Sequence, residues 1–133
     1  VKVKIQNTKK IFDSNQNVLL LNFIKFLQDE VHLKDDVVVN FTLERIGDMT
    51  TGVRKKHGYI IVYCKDRLLI DVLRTLSHEW THEYQDQTGY TKKHKHKDIG
   101  GTIENMANSL SGILIKKFQK EYPEYETLMY GEK

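Results

Sequence analysis

The pentapeptide His78-Glu79-Trp80-Thr81-His82 constrains this chain more than any other feature, because it sits inside a stretch with helical periodicity. Leu69, Val72, Leu73, Leu76, Trp80 and Tyr84 recur at steps of three and four, which predicts an amphipathic helix from about Arg67 to Thr88. Asp66 is placed to cap its start and Gly89 to stop it in a left-handed conformation. Residues four apart on a helix share a face, so the imidazoles of His78 and His82 can reach one point. Neutral imidazole is a good zinc ligand. Glu79 follows the first histidine, about 100° further round the helix. Its carboxylate then lies beside such an ion rather than on it, placed to take a proton from a nearby water. The H-E-x-x-H spacing is specific to this chemistry.

A catalytic zinc site takes three protein ligands, so one must come from elsewhere. Gln85 and Thr88 stand where the metzincin continuation requires Gly and His, which excludes that pattern. Glu104, 22 residues beyond His82, is the leading candidate. It lies on a further helix expected from about Gly101 to Lys120, with an apolar stripe of Ile103, Met106, Ala107, Leu110, Leu114 and Phe118. A connection of this length lets the second helix fold back beside the first, with Glu104 at the edge of the stripe. Asn108, one turn later, is placed to hydrogen-bond a ligand imidazole from behind. His94, His96 and Asp98 are rival ligands, but four lysines surround them and disfavour a cation. Either histidine, or Tyr90, could instead donate a hydrogen bond to an oxyanion.

Upstream, residues 1 to 5 alternate in the manner of a strand. Asp13, Ser14 and Asn15 offer caps to a helix ending near Leu33, and Val37 to Leu43 and Tyr59 to Cys64 read as strands. Gly47 to Gly52 reads as a turn region, and a short helical turn is expected between Glu124 and Tyr130. The expectation is one α+β domain spanning residues 1–133. It has a short mixed sheet of about three strands, a backing helix, an active-site helix and a third-ligand helix.

His78-Glu79-x-x-His82 followed by Gly101-Thr102-Ile103-Glu104-Asn105-x-Ala107-Asn108 resembles the gluzincin branch of zinc metallopeptidases. The chain is similar in size to minimal single-domain members and to small bacterial and phage metallopeptidases. The likeness covers Leu69 to Ile115, about a third of the sequence. It implies a zincin-like fold, one Zn2+ held by His78, His82 and Glu104, and Glu79 as catalytic base. It also implies that the strand at Tyr59 to Tyr63 lines the cleft and pairs with an extended peptide substrate, with Tyr59 among the substrate contacts. The larger gluzincins carry a transition-state-stabilising His or Tyr in a second subdomain, for which this chain has no room.

Composition bounds the alternatives. The one cysteine, Cys64, excludes an internal disulfide and fits an intracellular setting. No run approaches a membrane-spanning length, and no signal-peptide pattern opens the chain. A net charge of +3 does not argue for nucleic acid by itself, although Arg54-Lys55-Lys56-His57 and residues 92–97 are basic. The expected function is a cytoplasmic zinc-dependent hydrolase that cleaves peptide bonds by glutamate-assisted attack of water. The alternative is a non-catalytic zincin-like module that binds nucleic acid or a protein partner through its basic loop.

Overall fold

A computed structural model of the chain describes residues 2–89 and 102–131. The elements are β1 (Val3–Gln6), α1 (Thr8–Ile11), α2 (Ser14–Glu30), β2 (Val37–Thr42), β3 (Gly52–Lys56), β4 (Tyr59–Tyr63), α3 (Leu69–Gln87) and α4 (Thr102–Glu121). A 3-10 turn (Pro123–Tyr125) leads into α5 (Glu126–Tyr130). The class is α+β.

The sheet is mixed and has four strands, in the order β1-β2-β4-β3. The first three run parallel, and β3 is antiparallel to β4. β1, β2 and β4 are the three strands expected, and the structure adds a fourth. The missed strand is β3, whose sequence Gly-Val-Arg-Lys-Lys carries neither alternation nor β-branched enrichment. Backbone pairing with β4 forms it instead. The same finding corrects the substrate strand. β4 is paired on both sides, so it has no free edge for a peptide, whereas among the described residues β3 is paired on one side only.

Val37, Val39, Phe41, Ile60 and Val62 alternate onto one face of the sheet and join α2, α3 and α4 in a single core. Phe23 and Phe118 meet edge to face at the centre of it, 4.8 Å between ring centroids. Tyr59, Ile61 and Tyr63 point to the opposite face, where the Arg45 guanidinium lies 4.4 Å above the Tyr63 ring. Cys64 is buried, and burial pushes its thiol up to about 12, so it packs as an unreactive group.

Local signals explain most boundaries. Asp13 caps α2 in a reciprocal box with Gln16. Gly89 takes φ 80 just past α3 and closes it as expected. The start of α3 departs from expectation. Asp66 does not cap it but adopts φ 55 in the preceding turn, a conformation Asp tolerates. Leu68 occupies the cap position with no side-chain hydrogen bond.

Two buried contacts orient α3. Its apolar face buries Leu69, Val72, Leu73, Leu76 and Trp80. The Trp80 indole N–H donates to the Val31 carbonyl at 2.8 Å, so it satisfies an otherwise unpaired acceptor at the end of α2. Replacing Trp80 by Phe removes that donor and leaves a void. The variant is expected to lose about 2–4 kcal/mol of stability, read as a lower urea midpoint at unchanged slope.

Candidate metal centre

α3 and α4 approach closely where α4 presents the buried small residues Ala107 and Ser111. The Ser111 hydroxyl is satisfied by the Ala107 carbonyl at 2.7 Å, so this seam carries no unpaired group. Glu104, one turn before Ala107 on α4, reaches the side of α3 that bears the histidines. Its Oε1 lies 3.2 Å from His78 Nε2 and its Oε2 lies 2.9 Å from His82 Nε2. The two Nε2 atoms are 3.1 Å apart. Ligands held about 2.0–2.1 Å from a tetrahedral ion stand roughly 3.3 Å from one another. The two Nε2 atoms and the Glu104 carboxylate, with one oxygen against each ring, therefore lie at about the separation of donors around one such ion. A His, His, carboxylate set suits zinc rather than calcium or magnesium, which prefer all-oxygen shells.

Supporting contacts fix the imidazoles. Gln85, fully buried, donates from Nε2 to the Ile103 carbonyl at 3.0 Å. That orients its amide so that Oε1 faces His82 Nδ1 at 2.8 Å. An amide oxygen only accepts, so His82 Nδ1 carries a proton and Nε2 is the ring nitrogen turned toward Glu104. Asn108 lines the same cleft as His78 and acts to raise the proton affinity of its ring. His78 is held below its ordinary value, first by burial and then by the neighbouring His82 charge, with Glu104 and Asn108 opposing. That favours the neutral ring, the form a metal needs.

Glu79 is pushed above the ordinary carboxylate value by burial; Glu104 adds to this, while His82 and Arg54 oppose it. Gly52 of β3 passes directly over it. A Cβ on Gly52 would fall 2.5 Å from Thr75 Cγ2 and 3.1 Å from Glu79 Cγ, so only glycine lets the strand approach this closely.

No family model, curated protein or solved structure matches this chain.

The remaining sequence-derived sites fare differently. Tyr59 lies on the sheet face away from α3, its hydroxyl near Asn40 Nδ2 at 3.3 Å and Gln6 Oε1 at 3.5 Å. It does not face the His78/His82/Glu104 cluster, because strand alternation turns it outward. Tyr90, His94, His96 and Asp98 lie outside the described residues. The basic segment at residues 54–57 is partly committed. Arg54 Nε bonds Glu83 Oε1 at 3.0 Å and its Nη2 bonds Asp86 Oδ2 at 2.9 Å. His57 lies 2.9 Å from Asp86 and 3.2 Å from Asp35, and its own value is raised chiefly by the Asp86 hydrogen bond. His57, Glu83 and Asp86 converge as metal donors do, but the Arg54 guanidinium already supplies the cation there.

Sequence reasoning passed over Gln85, Gly52 and Arg54. Gln85 had a usable signal, standing three residues after His82 on the same helical face. Gly52 and Arg54 had none, since their roles depend on β3 existing.

A raised folded-state value for Glu79 has a definite sign. Its stabilising contribution is complete below its ordinary 4.5 and is lost as pH rises through the folded value. Metal-free Glu79→Gln should therefore unfold at a higher temperature than wild type at pH 7. The gap should close as pH falls below 4.5, which paired thermal melts across pH would show.

Proposed function

We propose that this protein is a zinc-dependent peptidase of gluzincin type, with His78, His82 and Glu104 as metal ligands and Glu79 as general base. The observation that carries this reading is the convergence of two imidazoles and one carboxylate at about 3 Å, beside a half-desolvated glutamate that holds no place among the donors. A bound zinc ion would supply Lewis acidity, acidifying a water and polarising a carbonyl at the open vertex.

The chain's own residues do the rest. Gln85 holds the His82 imidazole in place, and Asn108 stands beside the His78 ring. Burial raises the proton affinity of Glu79 toward the range in which a carboxylate both accepts and returns a proton at neutral pH. Glu79 takes the proton of the attacking water on its carboxylate oxygen and delivers it to the departing amine.

The β3 edge supplies the docking line for an extended peptide. Thr51 accepts from the Tyr63 N–H at 2.8 Å. Antiparallel alternation then turns the N–H and C=O of the next residue, Gly52, away from β4 toward the unpaired side. Those groups lie next to Glu79, where a substrate backbone would need them.

A purely structural zinc site has no use for a half-buried carboxylate beside it, and that favours catalysis over a binding module. For nucleic acid, the ion pairs of Arg54 and His57 remove two of the charges that such a reading needs.

Zinc-loaded protein is expected to hydrolyse members of a mixed peptide library. Glu79→Gln should keep stoichiometric zinc yet lose about 10²–10⁴-fold in rate. His78→Ala and Glu104→Ala should fold without retaining the metal. Zinc bound in full by wild type with no peptide cleaved would overturn the enzymatic reading. Gln85→Ala should weaken zinc binding by about 10–100-fold, measured by competition with a chromogenic chelator.

A further inference from the structure

A cleft of about 480 Å3 opens beside the proposed centre, between α3 and α4. His78 and Glu79 form one end, and Arg74 and Thr75 line it one turn earlier on α3. Ser111 and Gly112 form the α4 wall. Gly112 is exposed in the middle of α4, and a Cβ there would meet nothing within 4 Å. Glycine in a helix interior costs stability relative to alanine, and here it leaves the wall open at one position, next to the side chains of Asn108 and Ser111.

Arg74 is the one permanent cation among the described residues lining this cleft. It stands four residues before His78, on the same helical face. Among the described residues its one partner is Asp71, through a single contact of 3.1 Å, with both side chains about half exposed. Exposed pairs of this kind are weak and exchangeable. No other described residue engages the guanidinium fork, whose geometry suits a carboxylate held in two-pronged fashion.

The orientation of β3 decides which part of a substrate meets Arg74. Gly52 sits beside Thr75 and Glu79, whereas Arg54 sits beside Glu83 and Asp86. β3 and α3 thus run in the same direction. A peptide pairing antiparallel to β3, the more stable arrangement, carries its C-terminal half toward Gly52 and Arg74.

We propose that this cleft receives a carboxylate on the C-terminal, leaving-amine side of the scissile bond, held by Arg74, so that the preferred substrates are peptides with an anionic group just after the cleaved bond. The inference rests on the peptidase reading above. Arg74 is a specificity residue here, and its charge offsets the repulsion between such a substrate and Glu79. The carboxylate has two sources: an Asp or Glu side chain, or the α-carboxylate of a short peptide's own C-terminus.

Three matched libraries of short labelled peptides test this. One is neutral and amidated, one is neutral with a free C-terminal carboxylate, and one is amidated with Asp or Glu at varied positions. Two readouts are taken: kcat/KM with zinc-loaded protein, and equilibrium binding to zinc-loaded Glu79→Gln. Each is repeated with Arg74→Glu and Arg74→Lys, whose unfolding midpoints should match their parents because the side chain is exposed. We expect at least a tenfold preference for one carboxylate library over the amidated neutral one. Whichever library wins identifies the source. Arg74→Glu should lose at least tenfold more on that library than on the neutral one, and Arg74→Lys should keep part of the preference. Cleavage or binding without carboxylate preference, or equal losses on all libraries, overturns the inference and leaves the peptidase reading intact. An Arg74-dependent preference in binding, with no peptide cleaved, supports the inference and overturns the reaction. Neither binding nor cleavage in any library overturns both.

Discussion

The docking of α4 against α3 is the contact on which the candidate centre depends. α3 alone can bring His78 and His82 together, since four residues make one turn. It has no third donor on the same face. Glu104 arrives only because Ala107 and Ser111 let the helix backbones approach, and because Gln85 ties the first turn of α4 to α3 through the Ile103 carbonyl. Gln85 thereby does two things at once: one end of its amide fixes the helix pair, and the other fixes the His82 tautomer.

α3 distributes its faces among every neighbour. Trp80 fastens it to the end of α2, Thr75 and Glu79 meet Gly52, and Glu83 and Asp86 hold Arg54 of β3. Glu79 and Glu83 are one turn apart, yet their surroundings differ completely. Glu83 is fully buried and compensated by Arg54, the Gly58 N–H and the Gln87 amide. Glu79 is shaped by burial and by charges at a distance. A compensated carboxylate is structural; an uncompensated one is available for proton transfer.

The sequence reading reached furthest where the signal is local. The amphipathic stripe of α3, the Asp13 cap and the Gly89 stop are all written within a few residues of where they act. The approach of Glu104 to His78 and His82 follows from a helix long enough to fold back onto α3. The strand β3 was not legible, because its pattern follows from pairing with β4 rather than from its own side chains. Its loss carried other errors with it. The peptide-pairing role that the resemblance implies for Tyr59 to Tyr63 fails because β3 occupies that edge, and Arg54 and His57 of the basic segment are engaged by acidic residues of α3. Asp66 failed as a cap for a different reason: an aspartate before a helix can equally occupy a left-handed turn, and spacing does not distinguish the two.

An open strand that welcomes a foreign backbone can also zip onto a second copy of itself. β3 carries devices that limit this. Its ladder with β4 is irregular between Arg54 and Lys56, which shortens the flat stretch, and Lys55 and Lys56 are both exposed. Two such edges meeting head on would set like charges against each other, whereas a single short peptide needs only the smooth part near Gly52. The lysines that suggest a polyanion partner when read along the chain therefore serve, in the folded molecule, as gatekeepers against self-association.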